Sequence, residues 1–117
     1  MTAELQSEFL LSYTIQVETL HDIGAIPLGT RHLDFLGAGT FEGPRLRGEI
    51  VPGGVDQKIF RSDGAMNQNV RMVLKTDDDA LIYVHYTGVR YGSSDVMARI
   101  AAGETVDPKE YYLRSTP

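Results

Sequence analysis

Apolar and polar side chains alternate with a period of two through much of this chain, and glycine or proline breaks the alternation at short intervals. A strand points successive side chains to opposite faces, so the pattern favours half-buried strands joined by tight turns over helices. The segment from Leu10 to Leu20 shows it most clearly. Leu11, Tyr13, Ile15 and Val17 are apolar there, whereas Ser12, Thr14, Gln16 and Glu18 are polar. One buried face and one wet face follow.

The stretch from His21 to Gly29 holds Gly24 and Pro27 and reads as a connection or a short bent strand. Arg31 to Phe41 is expected to be a strand with Leu33, Phe35 and Phe41 on one face, Gly37 and Gly39 allowing a bulge or bend. Arg45 to Val51 forms a further strand that Pro52-Gly53-Gly54 should end, and Val55 to Arg61 another. Ala65 to Thr76 places Met66, Val70, Met72 and Leu74 on one parity, and Ala80 to Arg90 should complete a hairpin with it. One segment favours helix: Asp95 to Ala102, capped by Ser93 or Ser94 and stopped by Gly103. Pro108 suits the start of one more turn within Val106 to Glu110, and Tyr111 to Ser115 reads as extended. Six or seven short strands and one short helix in 117 residues predict one all-β domain over residues 1–117. Sequential strands on tight turns imply an antiparallel meander, which a chain this size closes best as a small barrel or strongly bent half-barrel. Closure matters because open edges recruit other chains.

Charge and composition narrow the function. Lys and Arg number 11 against 16 Asp and Glu, and the formal charge is −5. An acidic chain with scattered cations is a poor partner for nucleic acid. No apolar run approaches the ~18 residues of a membrane helix. The opening MTAELQSEF lacks the basic start of a secretory signal. Cysteine is absent, which removes disulfides and thiolate chemistry and fits a cytoplasmic protein. Gly37-Ala38-Gly39 lacks the third glycine of a dinucleotide fingerprint and opens no helix, so no cofactor is expected. His21, His32 and His85 do not pair at metal spacing, and Asp77-Asp78-Asp79 lacks the spacing of a calcium loop, so no metal site is expected either.

Three blocks carry a resemblance: GTFEGPRLRGEIVPGG (residues 39–54), TDDDALIYVHYTGVR (76–90) and GETVDPKEYYLRSTP (103–117). In this order and spacing the chain resembles the domain-of-unknown-function 3237 family, small bacterial and fungal proteins, over nearly its whole length. The resemblance implies an antiparallel barrel of calycin-like or allene-oxide-cyclase-like kind, often oligomeric, and no general function. Two departures stand out. The family commonly has Trp after Gly-Gly-x-Asp, where this chain has Gln57 after Gly53-Gly54-Val55-Asp56. Family members also usually continue beyond the segment matching Tyr111 to Pro117. The last strand of the barrel is therefore expected to be absent here or supplied by a partner subunit. A third, smaller one is Asp79 where the family's turn has Gly, which Asp tolerates at modest cost.

Polar residues in the strands are the candidates for chemistry. Asp56, Tyr83 and Arg71 are expected to serve as base, acid and anion clamp, since a carboxylate beside a guanidinium and a phenol can hold and protonate an enolate or carbonyl oxygen. Arg114, His85, Phe41 and Tyr112 are the candidate ligand-binding residues, with His85 on the same strand face as Tyr83. The structural alternative is an Asp–Arg pair that fixes strand register around a half-buried tyrosine. Three functions stay open. The first is a barrel that binds a hydrophobic or aromatic small molecule. The second is a cofactor-independent isomerase, cyclase or lyase acting on a hydrophobic or aromatic carbonyl compound. The third is an assembly role in a homo-oligomer that exchanges strand edges.

Overall fold

The computed structural model describes residues 3–117. Its strands are β1 (Ser12–Ile26), β2 (Gly29–Glu42), β3 (Arg47–Arg61), β4 (Met66–Thr76), β5 (Leu81–Tyr91) and β6 (Tyr112–Thr116), and its one α-helix is α1 (Ser94–Ala101). The strands form a single sheet in sequence order, every neighbouring pair antiparallel. The meander and the β4–β5 hairpin match the alternation in the sequence. Ser93 caps α1 by accepting a hydrogen bond from the Val96 amide at 3.2 Å, and Gly103, at φ +81°, follows its end.

Two sequence boundaries move, both through local irregularity of the strands. The expected connection from His21 onward is strand as far as Ile26, with a bulge between Asp22 and Gly24 absorbing the extra residue. Pro52-Gly53-Gly54 does not end a strand. Arg47–Arg61 runs through it as one bulged strand, with the register shift between Val51 and Val55 and Gly53 at φ +112°.

One face of the sheet holds the core: Leu36, Phe41, Ile50, Val70, Met72, Leu74 and Tyr86. The hydroxyls of Tyr13 and Tyr86 are hydrogen-bonded across this face, although β1 and β5 are separated by β2, β3 and β4. In a flat sheet four strand spacings would hold the two strands about 19 Å apart. The sheet is therefore curled around its core face, as in a barrel. Curling brings β1 toward β5 without pairing them, and β1 and β6 remain the two edges of the sheet.

Bulges also decide which residues face inward. On β2 the shift between Leu36 and Gly39 inverts the alternation. Leu36 and Phe41 both enter the core, whereas Leu33 and Phe35 point to the opposite face, contrary to the common face expected for Leu33, Phe35 and Phe41. The same inversion turns Asp34 inward.

Candidate functional site

Directly opposed residues of an antiparallel pair share a face. Leu20, Asp34, Asp56, Val70 and Tyr86 form one inward row across β1 to β5. The next inward row is Asp22, His32, Lys58, Gln68 and Gly88. A third contains Phe60, Met66 and Arg90. Sheet geometry thus gathers three carboxyls, an imidazole, an ammonium, an amide, a phenol and a guanidinium beside an apolar core.

Asp34 is 2% exposed and Asp56 7%. The Lys58 ammonium sits diagonally between them, 2.6 Å from Asp34 Oδ2 and 4.0 Å from Asp56 Oδ2. Gln68 Nε2 donates to Asp56 Oδ2 at 3.4 Å. Asp34 thus holds the close ion pair. Asp56 has only the distant share of that ammonium, and burial pushes its carboxyl above the usual range, against the opposing pull of Lys58 and Gln68. Of the two, Asp56 is the carboxyl that burial disposes to hold a proton. Burial, reinforced by the Tyr13 hydroxyl and the Asp56 charge, raises Tyr86 and keeps it a phenol. Burial also lowers Arg90, which faces Tyr111, Asp56 and Asp34.

Three buried polar atoms in this cluster have no hydrogen-bond partner among the described residues: Asp34 Oδ1, Asp56 Oδ1 and Arg90 Nε. Buried polar groups are paired with protein or ordered water in nearly all folded proteins, so three together single this place out. At the β1 margin of the cluster Leu20 is 70% exposed, and His32 and Asp22 stand 3.7 Å apart.

The structure divides the residues singled out by sequence. Asp56 faces inward, while Arg71 and Tyr83 lie on the opposite face. Tyr83 is 66% exposed, and with Arg71 it lines a hollow of about 250 Å³ at the Pro52-Gly53-Gly54 bulge. Asp56, Tyr83 and Arg71 therefore do not converge on one bound molecule, because period-two geometry sends even and odd positions of β4 and β5 to opposite sides. His85 is opposite Arg71 in register, shares that outer face, and bonds Asn69 at 2.8 Å. Arg114 and Tyr112 are on the same face, with the guanidinium 5.0 Å from the Tyr112 ring centre. Phe41 packs in the core and also borders a hollow of about 450 Å³ with Arg47 and Lys75, away from Asp56 and Arg114. Asp34, Lys58, Gln68, Tyr86 and Arg90 escaped the sequence reading. Only the Asp56–Lys58 spacing of two could have signalled them, since it puts opposite charges on one strand face. Among the described residues no cluster of three or more metal-ligating side chains occurs, and no helix is long and apolar enough to cross a membrane.

A curled, all-antiparallel meander with a buried charged cluster on its inner face defines a barrel-like protein whose interior is not purely apolar. The chain belongs to the family described as protein of unknown function (DUF3237), whose profile matches residues 5–117. A UPF0311 protein of Clostridium acetobutylicum is 34% identical over 115 residues, covering 97% of this chain and 73% of its own. A UPF0311 protein of Rhodopseudomonas palustris is 29% identical over 117 residues, covering all of this chain and 76% of its own. The crystal structure of a protein with unknown function from C. acetobutylicum superposes with a TM-score of 0.79 at 34% identity, over 92% of this chain and 73% of that one. A structure from Acinetobacter baumannii, described as a beta-barrel like protein, superposes with a TM-score of 0.66 at 30% identity, over 95% and 80%.

Proposed function

We propose that the chain binds a small, largely apolar carbonyl compound bearing a hydroxyl group on the inner face of its curled sheet. The observation that carries this reading is the trio of buried, unpartnered atoms Asp34 Oδ1, Asp56 Oδ1 and Arg90 Nε. A ligand hydroxyl would donate to a carboxylate oxygen, a ligand carbonyl would accept from Arg90, and the apolar body would rest on Val70, Phe60 and Met66. The raised Asp56 and the ion-paired Asp34 also support a proton-transfer role on the same ligand, an isomerase-type activity without a cofactor. A cysteine-free chain fits a cytoplasmic setting.

Asp56→Asn tests the binding reading through its pH profile. The Asp56 carboxyl is raised in the folded state, so its stability contribution is fully present below the unfolded value near 3.8 and is lost as pH rises through the folded value. The variant is expected to melt higher than wild type at pH 7 and level with it under acid conditions. Native mass spectrometry should show it losing any small molecule that wild type retains. Stability gained together with binding lost is the mark of a functional polar group. A variant less stable at pH 7 would make Asp56 a structural group.

A second reading, homo-oligomer assembly, rests on surface area. The chain exposes 8372 Å², whereas a compact monomer of this mass exposes ~6,300 Å². Val17, Leu20 and Ile23 are exposed on the edge strand β1, whose side away from β2 is open. Edge pairing between two copies would cover that surface. Sedimentation at micromolar concentration should then give a dimer that Leu20→Lys dissociates, and a monomer would end this reading.

A further inference from the structure

The face opposite the core carries a groove of about 700 Å³ that crosses β2 to β6. Its lining contains no carboxylate, in a chain with 16. Three arginines line it: Arg31, Arg61 and Arg114. Register explains the grouping. Arg31, Ile59, Asn67, Val89 and Arg114 form one row across five strands, so the two arginines stand at its ends. Arg61 is already engaged with Asp63 and Asn67. Arg31 and Arg114 have no carboxylate within ion-pair distance among the described residues, and stacking on Tyr112 holds Arg114 in place. Between them lie Gln57, Asn67, Asn69 and Thr87.

We infer that this groove binds a small polyhydroxylated anion, a sugar phosphate or a sugar acid. Arg114 donates to the Leu113 carbonyl at 2.8 Å but, like Arg31, has no carboxylate among the described residues to neutralise it, and guanidiniums so placed supply charge-assisted bonds to a phosphate or carboxylate. Amide and hydroxyl side chains between them both donate and accept, which suits a ring of hydroxyls. The overall charge of −5 opposes a long polyanion, whose contacts extend beyond the groove, more than a compact ligand that touches only the arginines. Gln68 and Gly88 of the inward row also border the groove, but its arginines and the inner carboxyls lie on opposite faces of the sheet, so this inference stands apart from the function proposed above.

Calorimetric titration with glucose 6-phosphate and with gluconate tests it, inorganic phosphate and glucose serving as partial ligands. At least one of the two full probes should bind saturably, at least about tenfold tighter than either partial ligand. Which one binds identifies the acidic group. The double variant Arg31→Gln/Arg114→Gln should weaken that binding by at least about tenfold. Lys75→Gln, a charge removed from the same face outside the groove, should retain it. Circular dichroism verifies that both variants fold. If the double variant is unfolded, Arg114→Gln alone carries the test with the same sign. No saturable binding by either probe, wild-type affinity in the arginine variant, or equal affinity for inorganic phosphate would overturn the inference.

Discussion

Replacing Lys58 with methionine will lower the free energy of unfolding at neutral pH by about 3–5 kcal/mol, the usual loss when one partner of a buried ion pair is removed. Lys58 stands 2.6 Å from Asp34 Oδ2 and 4.0 Å from Asp56 Oδ2, and both carboxyls are buried. Without the ammonium, two carboxylates face each other in a poorly solvated place. Such a loss takes a large share of the ~5–15 kcal/mol that a small domain possesses. The pH dependence identifies the mechanism. Stranded carboxylates have raised pKa values in the folded state, so the penalty grows as pH rises and shrinks in acid. Urea titration at neutral and acid pH measures both. Adding Asp34→Asn should recover part of the loss, because one of the two stranded charges disappears. A small, pH-independent loss would show that water already solvates the cluster.

Gly29→Ala is expected to cost about 2–4 kcal/mol, from backbone strain and overpacking together. Gly29 has φ +144°, and a Cβ there would lie 2.1 Å from the Phe60 carbonyl oxygen and 3.0 Å from the Arg61 Cα. These are backbone atoms of β3, so the clash is relieved only by moving one strand off another. Gly24 separates the two contributions: its φ is +104°, but nothing lies within 4 Å of an added Cβ. Gly24→Ala should therefore cost clearly less. Equal losses in urea titration would mean that β2 and β3 do not approach as described. The position matters for function because Gly29 opens the strand whose register sets Asp34 opposite Asp56.

The parts of this fold that the sequence made legible are those where alternation runs unbroken. Met66, Val70, Met72 and Leu74 were expected on one face of β4, and all four are buried there. The helix, its Ser93 cap and the turn at Pro108 were equally readable, because capping chemistry is local. Bulges hid the rest. Each one exchanges the faces of the residues that follow, and nothing in composition fixes where the extra residue falls. Asp34 was invisible for this reason: it lies between Leu33 and Phe35, which take the outer face that an unbulged strand would have given Asp34.

The candidate site was half legible. Asp56 was singled out and proves to be in the inner cluster, yet its expected partners Arg71 and Tyr83 lie across the sheet. The partners it does have, Lys58 and Asp34, carry no mark in the sequence that sets them apart from other charges in strands. Burial of a charge depends on which way the sheet curls, and curling is a property of all the strands together. Arg114, His85 and Tyr112 share the outer face, but the arginine-lined groove required Arg31, three strands away from β5.

If the inner cluster receives a ligand, amide resonances report where it lands. An amide-resolved NMR titration of the protein with 4-hydroxyacetophenone, a phenol and a ketone on one apolar ring, tests this binding most directly. Saturable shifts centred on Asp34, Asp56, Tyr86 and Arg90 are expected, lost in Asp56→Asn. Shifts confined to the outer face, or the same shifts in Asp56→Asn, would contradict binding at the inner cluster.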